Sequence, residues 1–118
     1  MAISNSIMAF SQSEKIKSGL IWVSQALEML PGLSNTEKGG GEKMVSALLN
    51  MIGHEIQLAK VVAGGAEWDE IEPHIDKAVV MVNSGVGHEA TLHLSMALSK
   101  VTNIGHQSMT FLKEKSLL

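Results

Sequence analysis

The sequence predicts an all-α protein that folds as an antiparallel, up-and-down four-helix bundle. Apolar residues recur about every 3.5 positions in four segments, and Gly- or Pro-rich breaks separate these segments. Residues at this spacing share one face of an α-helix, so each segment has an apolar seam that another helix must cover. The predicted helices span about residues 12–30, 42–63, 67–83 and 87–115 of a single domain, 1–118.

Each predicted helix has its own set of seam residues. In chain order, the four seams are Ile16, Leu20, Val23, Leu27 and Leu30; Val45, Leu49, Ile52, Ile56, Ala59 and Ala63; Trp68, Ile71, Ile75, Ala78 and Val82; and Ala90, Leu94, Ala97, Val101 and Ile104.

The first helix and the break after it are predicted from local signals. Ser11 followed by Glu14 has the spacing of a capping box, so the helix should begin near residue 12, with residues 3–10 able to add a turn. It should end before Pro31. Residues 33–41 contain three consecutive glycines and are predicted to form a mobile loop, the best place for an insertion.

The later helices have clearer ends. Gly64 and Gly65 should stop the second helix. Pro73 lies inside the third predicted helix, which must either bend there or restart after a short first turn. Asn83–Gly85 separates the third helix from the fourth, and the short connections make neighbouring helices antiparallel.

A weak internal repeat suggests two similar helical hairpins. Ile52-Gly53-His54-Glu55 in the second helix is matched by Ile104-Gly105-His106-Gln107 in the fourth. A duplication would place the two histidines at equivalent positions, although any two helices with this periodicity can be aligned in this way.

Composition excludes several classes of protein. The 118 residues suffice for one hydrophobic core, and the absence of cysteine excludes disulfides, thiolate metal sites and cysteine nucleophiles. The 9 basic and 12 acidic residues are scattered, and aromatic residues are few, so nucleic acid is not an expected partner. No run is long enough to cross a bilayer and the N-terminus does not resemble a secretory signal, so a cytoplasmic location without a membrane partner is expected.

The second and third helices have more apolar residues than one seam needs. Met44, Leu48, Met51, Leu58 and Val62 form a second stripe on the second helix, and residues 78–82 are apolar all round their turn. Either the core face is broad or the chain self-associates, and we predict a homodimer. The predicted interface residues are Trp22, Met51, Leu58, Val61, Val80 and Met81.

Histidine chemistry is an alternative function. His54, His88 and His106 each follow a glycine, which leaves the imidazole sterically open. His54-Glu55-Ile56 resembles the phosphoacceptor box of dimeric histidine kinases, a resemblance of three or four residues that implies phosphotransfer through His54. The next residues, Gln57, Leu58 and Ala59, depart from that box.

A small-ligand or metal site inside the bundle is the second alternative. Glu55 lies within an apolar stripe, His93 lies at the edge of the fourth seam, and Glu89 precedes His93 by one turn. The Glu-x-x-His pattern of bundle di-iron sites is absent. A carboxylate such as Glu55 can equally be paired with a lysine.

The function that the sequence favours is a non-catalytic binding or regulatory module that self-associates and engages a protein partner. No residue is predicted to be catalytic, and no cofactor is predicted.

Overall fold

A computed structural model describes residues 2–118 as an antiparallel four-helix bundle, which confirms the predicted fold class. The α-helices are α1 (Ile3–Met29), α2 (Asn35–Val62), α3 (Glu72–Asn83) and α4 (Thr91–Glu114). Short 3-10 turns lie in the connections, at Leu30–Gly32, Ala66–Glu70 and Gly87–Ala90. Helix α1 packs on α2 and α4, and α3 packs on the same two helices from the other side. The bundle measures 53 × 21 × 18 Å.

The core consists of the predicted seams. All the seam residues are buried, and Leu20, Leu49, Ile56 and Trp68 have no exposed surface. The four seams therefore face one another along a single hydrophobic core. None of the helices in residues 2–118 has the length and apolar character that crossing a bilayer requires.

Helix α1 begins at Ile3, so the predicted start near residue 12 is wrong by more than two turns. Ser11 is an exposed residue inside the helix and caps nothing. Apolar periodicity does not reveal the first turns of α1, because the side chains on their inward face are small or polar. That face is formed by Ser6, Ala9, Gln12 and Ser13, all buried.

The predicted mobile loop at residues 33–41 is also wrong, because most of it is the first part of α2. The Ser34 side chain accepts a hydrogen bond from the Glu37 backbone N–H, and the Glu37 carboxylate accepts one from the Ser34 N–H, at 3.3 and 3.1 Å. This reciprocal capping box satisfies N–H groups that a helix start leaves free. The three glycines that suggested a loop lie one turn inside the helix.

Pro73 marks a restart and not a bend. The 3-10 turn Ala66–Glu70 ends before it, and Pro73 occupies the first turn of α3, where the missing N–H costs no hydrogen bond. Lys60 of α2 holds this junction, with its Nζ 2.7 Å from Asp69 Oδ1 and 2.8 Å from Glu72 Oε2. The third predicted helix is therefore two elements, and the fourth likewise begins with a 3-10 turn before Thr91.

The two hairpins differ in length. Helices α1 and α2 have 27 and 28 residues, whereas α3 has 12 and α4 has 24. Glycines with positive φ end α2 and α3, at Gly64 (71°), Gly65 (98°) and Gly85 (81°), as the sequence predicts.

Candidate functional site: a groove between α1 and α2

An open apolar groove of about 330 Å³ lies on the outer surface between α1 and α2. We call it the α1–α2 groove. Its walls and floor are formed by Lys15, Ile16, Gly19, Trp22, Val23, Leu48, Met51, Ile52 and Glu55.

Gly19 lines the groove where α1 and α2 meet. A Cβ on Gly19 would lie 3.4 Å from Ile52 Cγ1, so the floor is the helix backbone itself beside a core residue. Trp22, one turn further along α1, and Met51 on α2 rise on either side with 69% and 60% of their surface exposed. A large part of two apolar side chains is therefore in contact with water, an uncommon arrangement for an isolated monomer.

One end of the groove is polar. Lys15 Nζ lies 3.0 Å from Glu55 Oε1, and Gln12 Nε2 donates to Glu55 Oε2 at 3.2 Å. The hydrogen bond with Lys15, followed by that with Gln12, lowers the pKa of Glu55, so this carboxyl is ionised at neutral pH. Glu55 is thus paired with a lysine, the alternative to a metal ligand that the sequence leaves open.

The six predicted interface residues lie in three different environments. Trp22 and Met51 line the same groove. Leu58, Val61 and Val80 are exposed outside it, at 44%, 82% and 63%. Met81 is partly buried and packs against the core. Gly19 is not among the predicted interface residues. The only feature of the sequence that points to it is a small residue one turn before Trp22.

His54 lies in a cleft of about 360 Å³ between α2 and α3. The imidazole is exposed, as predicted, and nothing lies near its neighbour Gly53. The cleft also contains the carboxylates of Glu72 and Asp76. A phosphoryl group on His54 would add negative charge beside these two carboxylates, which does not favour phosphotransfer.

Two of the three glycines that precede histidines have a packing role. A Cβ on Gly105 would lie 2.6 Å from Ser13 Oγ, and a Cβ on Gly87 would lie 3.2 Å from a Leu27 methyl group. These glycines allow close approach to α1, whereas Gly53 has open space around it. His54 and His106 therefore have different surroundings despite the sequence repeat.

The three residues of the predicted metal site, Glu55, Glu89 and His93, each have different surroundings. Glu55 contacts α1 through Lys15, His93 contacts His74 of α3, and Glu89 is exposed on the turn before α4. Within residues 2–118, no three His, Asp or Glu side chains are grouped in a way that could hold a metal ion.

Comparison of the chain with protein-family models, with curated proteins and with solved structures finds no match.

Proposed function

We propose that this protein is a non-catalytic binding module that self-associates through the α1–α2 groove. The observation that carries this proposal is the exposed indole of Trp22, which stands beside an apolar groove on the same face of the molecule. Tryptophan contributes a large buried area to interfaces and is enriched among the residues that dominate binding energy.

A second copy of the chain is the occupant that this face favours. A surface that carries both a ridge and a groove can pair with a second copy of itself, with a two-fold axis bringing the Trp22 ridge of each copy to the groove of the other. Gly19 leaves the floor open to receive an aromatic ring. The only ionic groups that line the groove, Lys15 and Glu55, already form a pair, so no net charge opposes the approach of an identical surface.

The α2 side of the groove continues as an apolar strip. Met44, Leu48, Met51 and Leu58 are 41–71% exposed and extend over about 21 Å of helix. This strip supplies contact area beyond the groove. Val61 and Val80 lie outside the groove, and we assign them to contact with a different protein partner.

Light scattering coupled to size-exclusion chromatography, over a range of loading concentrations, tests self-association. We expect the mass to rise from 12.6 kDa toward twice that value as concentration increases. Trp22→Ser should raise the dissociation constant about 1,000-fold, because each of the two copies loses a central interface tryptophan that contributes about 2 kcal/mol.

The matched control is Leu92→Ser. Leu92 of α4 is 63% exposed but does not line the groove, so this variant should associate like the wild-type chain. A mass of one chain at every concentration, or an equal loss in both variants, would contradict the proposal.

Small-ligand binding near Glu55 is the second candidate function. The groove volume of about 330 Å³ falls in the range of ligand pockets, and its polar groups are gathered at one end. Titration with the apolar fluorescent probe anilinonaphthalene sulfonate should show one saturable site that Gly19→Leu abolishes by filling the groove. Binding that survives Gly19→Leu would rule out this site.

A further inference from the structure

Two imidazoles meet between α3 and α4. The ring centroids of His74 and His93 lie 6.0 Å apart, and the ring planes are inclined by 31°. Both side chains are half-buried. Each Nδ1 atom is shielded from solvent and has no hydrogen-bond partner in the described part of the chain.

This arrangement suits neutral histidine and not the protonated form. An imidazolium carries an N–H on both ring nitrogens, whichever tautomer was present before. Protonation of either residue would therefore place a charged N–H donor at a buried position without an acceptor, which is costly. Protonation of both would also bring two positive rings together.

The charged groups that act on His74 are positive. Besides His93 they are Lys77 on α3 and Lys100 on α4, and Lys100 Nζ lies 3.5 Å from Glu70 Oε2. Burial, followed by His93, Lys100 and Lys77, lowers the pKa of His74 below its ordinary value.

Other charged groups lie on α3 and on the elements that contact it. Asp76 of α3 lines the cleft with His54, and Lys60 of α2 pairs with Asp69 and Glu72. The turn before α4 carries His88 and Glu89, both of which are exposed.

We propose that the contact between His74 and His93 makes the docking of α3 on α4 sensitive to acid, so that the opened state of α3 is more populated at pH 5.5 than at pH 7.5. Helix α3 is the shortest helix, with 12 residues, and a helix of this length is marginal without its packing contacts. Opening would expose its buried face, formed by Ile75, Ala78 and Val82. This apolar surface is separate from the α1–α2 groove.

Proton linkage determines whether acid favours or opposes the opening of α3. Because the folded-state pKa of His74 is lower than the ordinary value of 6.5, the opened state binds more protons as the pH falls through 6.5. Opening of α3 is therefore favoured by acid, by up to about tenfold per pH unit for the proton that His74 takes up.

Amide hydrogen exchange measured by mass spectrometry tests this inference. Protection factors for α3, corrected for the intrinsic pH dependence of exchange, are compared at pH 7.5 and 5.5 for the wild-type chain, His74→Gln, His74→Phe and His106→Gln. We expect α3 protection to fall several-fold at pH 5.5 in the wild-type chain, while the middle of α1 keeps its protection.

The variants distinguish the imidazole pair from a general effect of acid. Removal of His74 by either substitution should abolish most of the pH dependence, and His74→Phe keeps an apolar ring should His74→Gln fail to fold. His106→Gln removes an exposed imidazole that lies between α1 and α4, away from α3, and should behave like the wild-type chain. Unchanged α3 protection in the wild-type chain, or an equal fall without His74, would overturn the inference.

Discussion

At the scale of single residues, Gly105 and Ser13 determine how closely α4 approaches α1. Both are buried, and Ser13 Oγ donates a hydrogen bond to the Phe10 carbonyl oxygen at 2.8 Å. A Cβ on Gly105 would lie 2.6 Å from this Oγ and 3.3 Å from Ser13 Cβ. The α1–α4 contact is the most extensive between any two helices, so its small residues matter for stability.

Gly105→Ala should lower the free energy of unfolding by about 1–2 kcal/mol. Overpacking costs about 1–3 kcal/mol, and the better helix propensity of alanine offsets part of this cost. Urea unfolding followed by circular dichroism measures the change. In a Ser13→Ala background the same substitution should cost about 1 kcal/mol less, because the closest atom is gone.

Gly53→Ala is the control for that experiment. A Cβ there meets no atom within 4 Å, so only helix propensity acts, and stability should rise by about 0.5–1 kcal/mol. If Gly105→Ala were as stabilising as Gly53→Ala, the close approach of α4 to Ser13 would be contradicted.

At the scale of elements, the first turns of α2 combine a strong cap with a poor helix sequence. The capping box of Ser34 and Glu37 favours helix formation, whereas Gly39, Gly40 and Gly41 oppose it through backbone entropy. Only Gly41 is near other side chains, since its Cβ would lie 2.8 Å from a Leu30 methyl carbon. Helix α2 therefore starts on its cap, with little packing around its first glycines.

Gly39→Ala and Gly40→Ala should each raise the free energy of unfolding by about 0.5–1 kcal/mol. Neither added methyl group meets an atom within 4 Å, and each reduces the freedom of the unfolded chain. Thermal unfolding by calorimetry measures the gain. Gly41→Ala should increase stability less, because Leu30 and Leu33 must shift to accommodate the methyl group. No increase in stability at any of the three positions would indicate that this segment is not helical.

At the scale of the whole molecule, the two tryptophans report on different surfaces. Trp68 has no exposed surface and lies in the core, whereas Trp22 is 69% exposed beside the groove. A probe that reaches only exposed indoles therefore measures Trp22, and its response depends on whether the groove is covered.

Acrylamide quenching should decrease as protein concentration rises through the range in which the chain associates. We expect a strongly quenched component from Trp22 at low concentration and its protection at high concentration. Trp22→Ser should leave only the weakly quenched Trp68, with no dependence on concentration. Quenching of the wild-type chain that stays constant while its mass doubles would place the interface elsewhere.

The seam periodicity determined the fold class, the order of the helices and every predicted core position. This pattern can be recognised in the sequence because a helix with one buried face needs apolar residues at a fixed spacing, whichever helix covers that face. The start of α1 could not be predicted, because the side chains on its inner face are small or polar. The start of α2 could not be predicted either, because its glycines are typical of a loop, although the capping box begins a helix there.

Exposure of Trp22 and Met51 followed from the sequence, but their meeting across one groove depends on how closely α1 and α2 pack around Gly19. The contact of His74 with His93 likewise depends on the rotation of two helices about their axes. Local periodicity specifies which face of a helix is buried. Only tertiary packing decides which residues from different helices become neighbours, because interhelical distances depend on side chains from both partners.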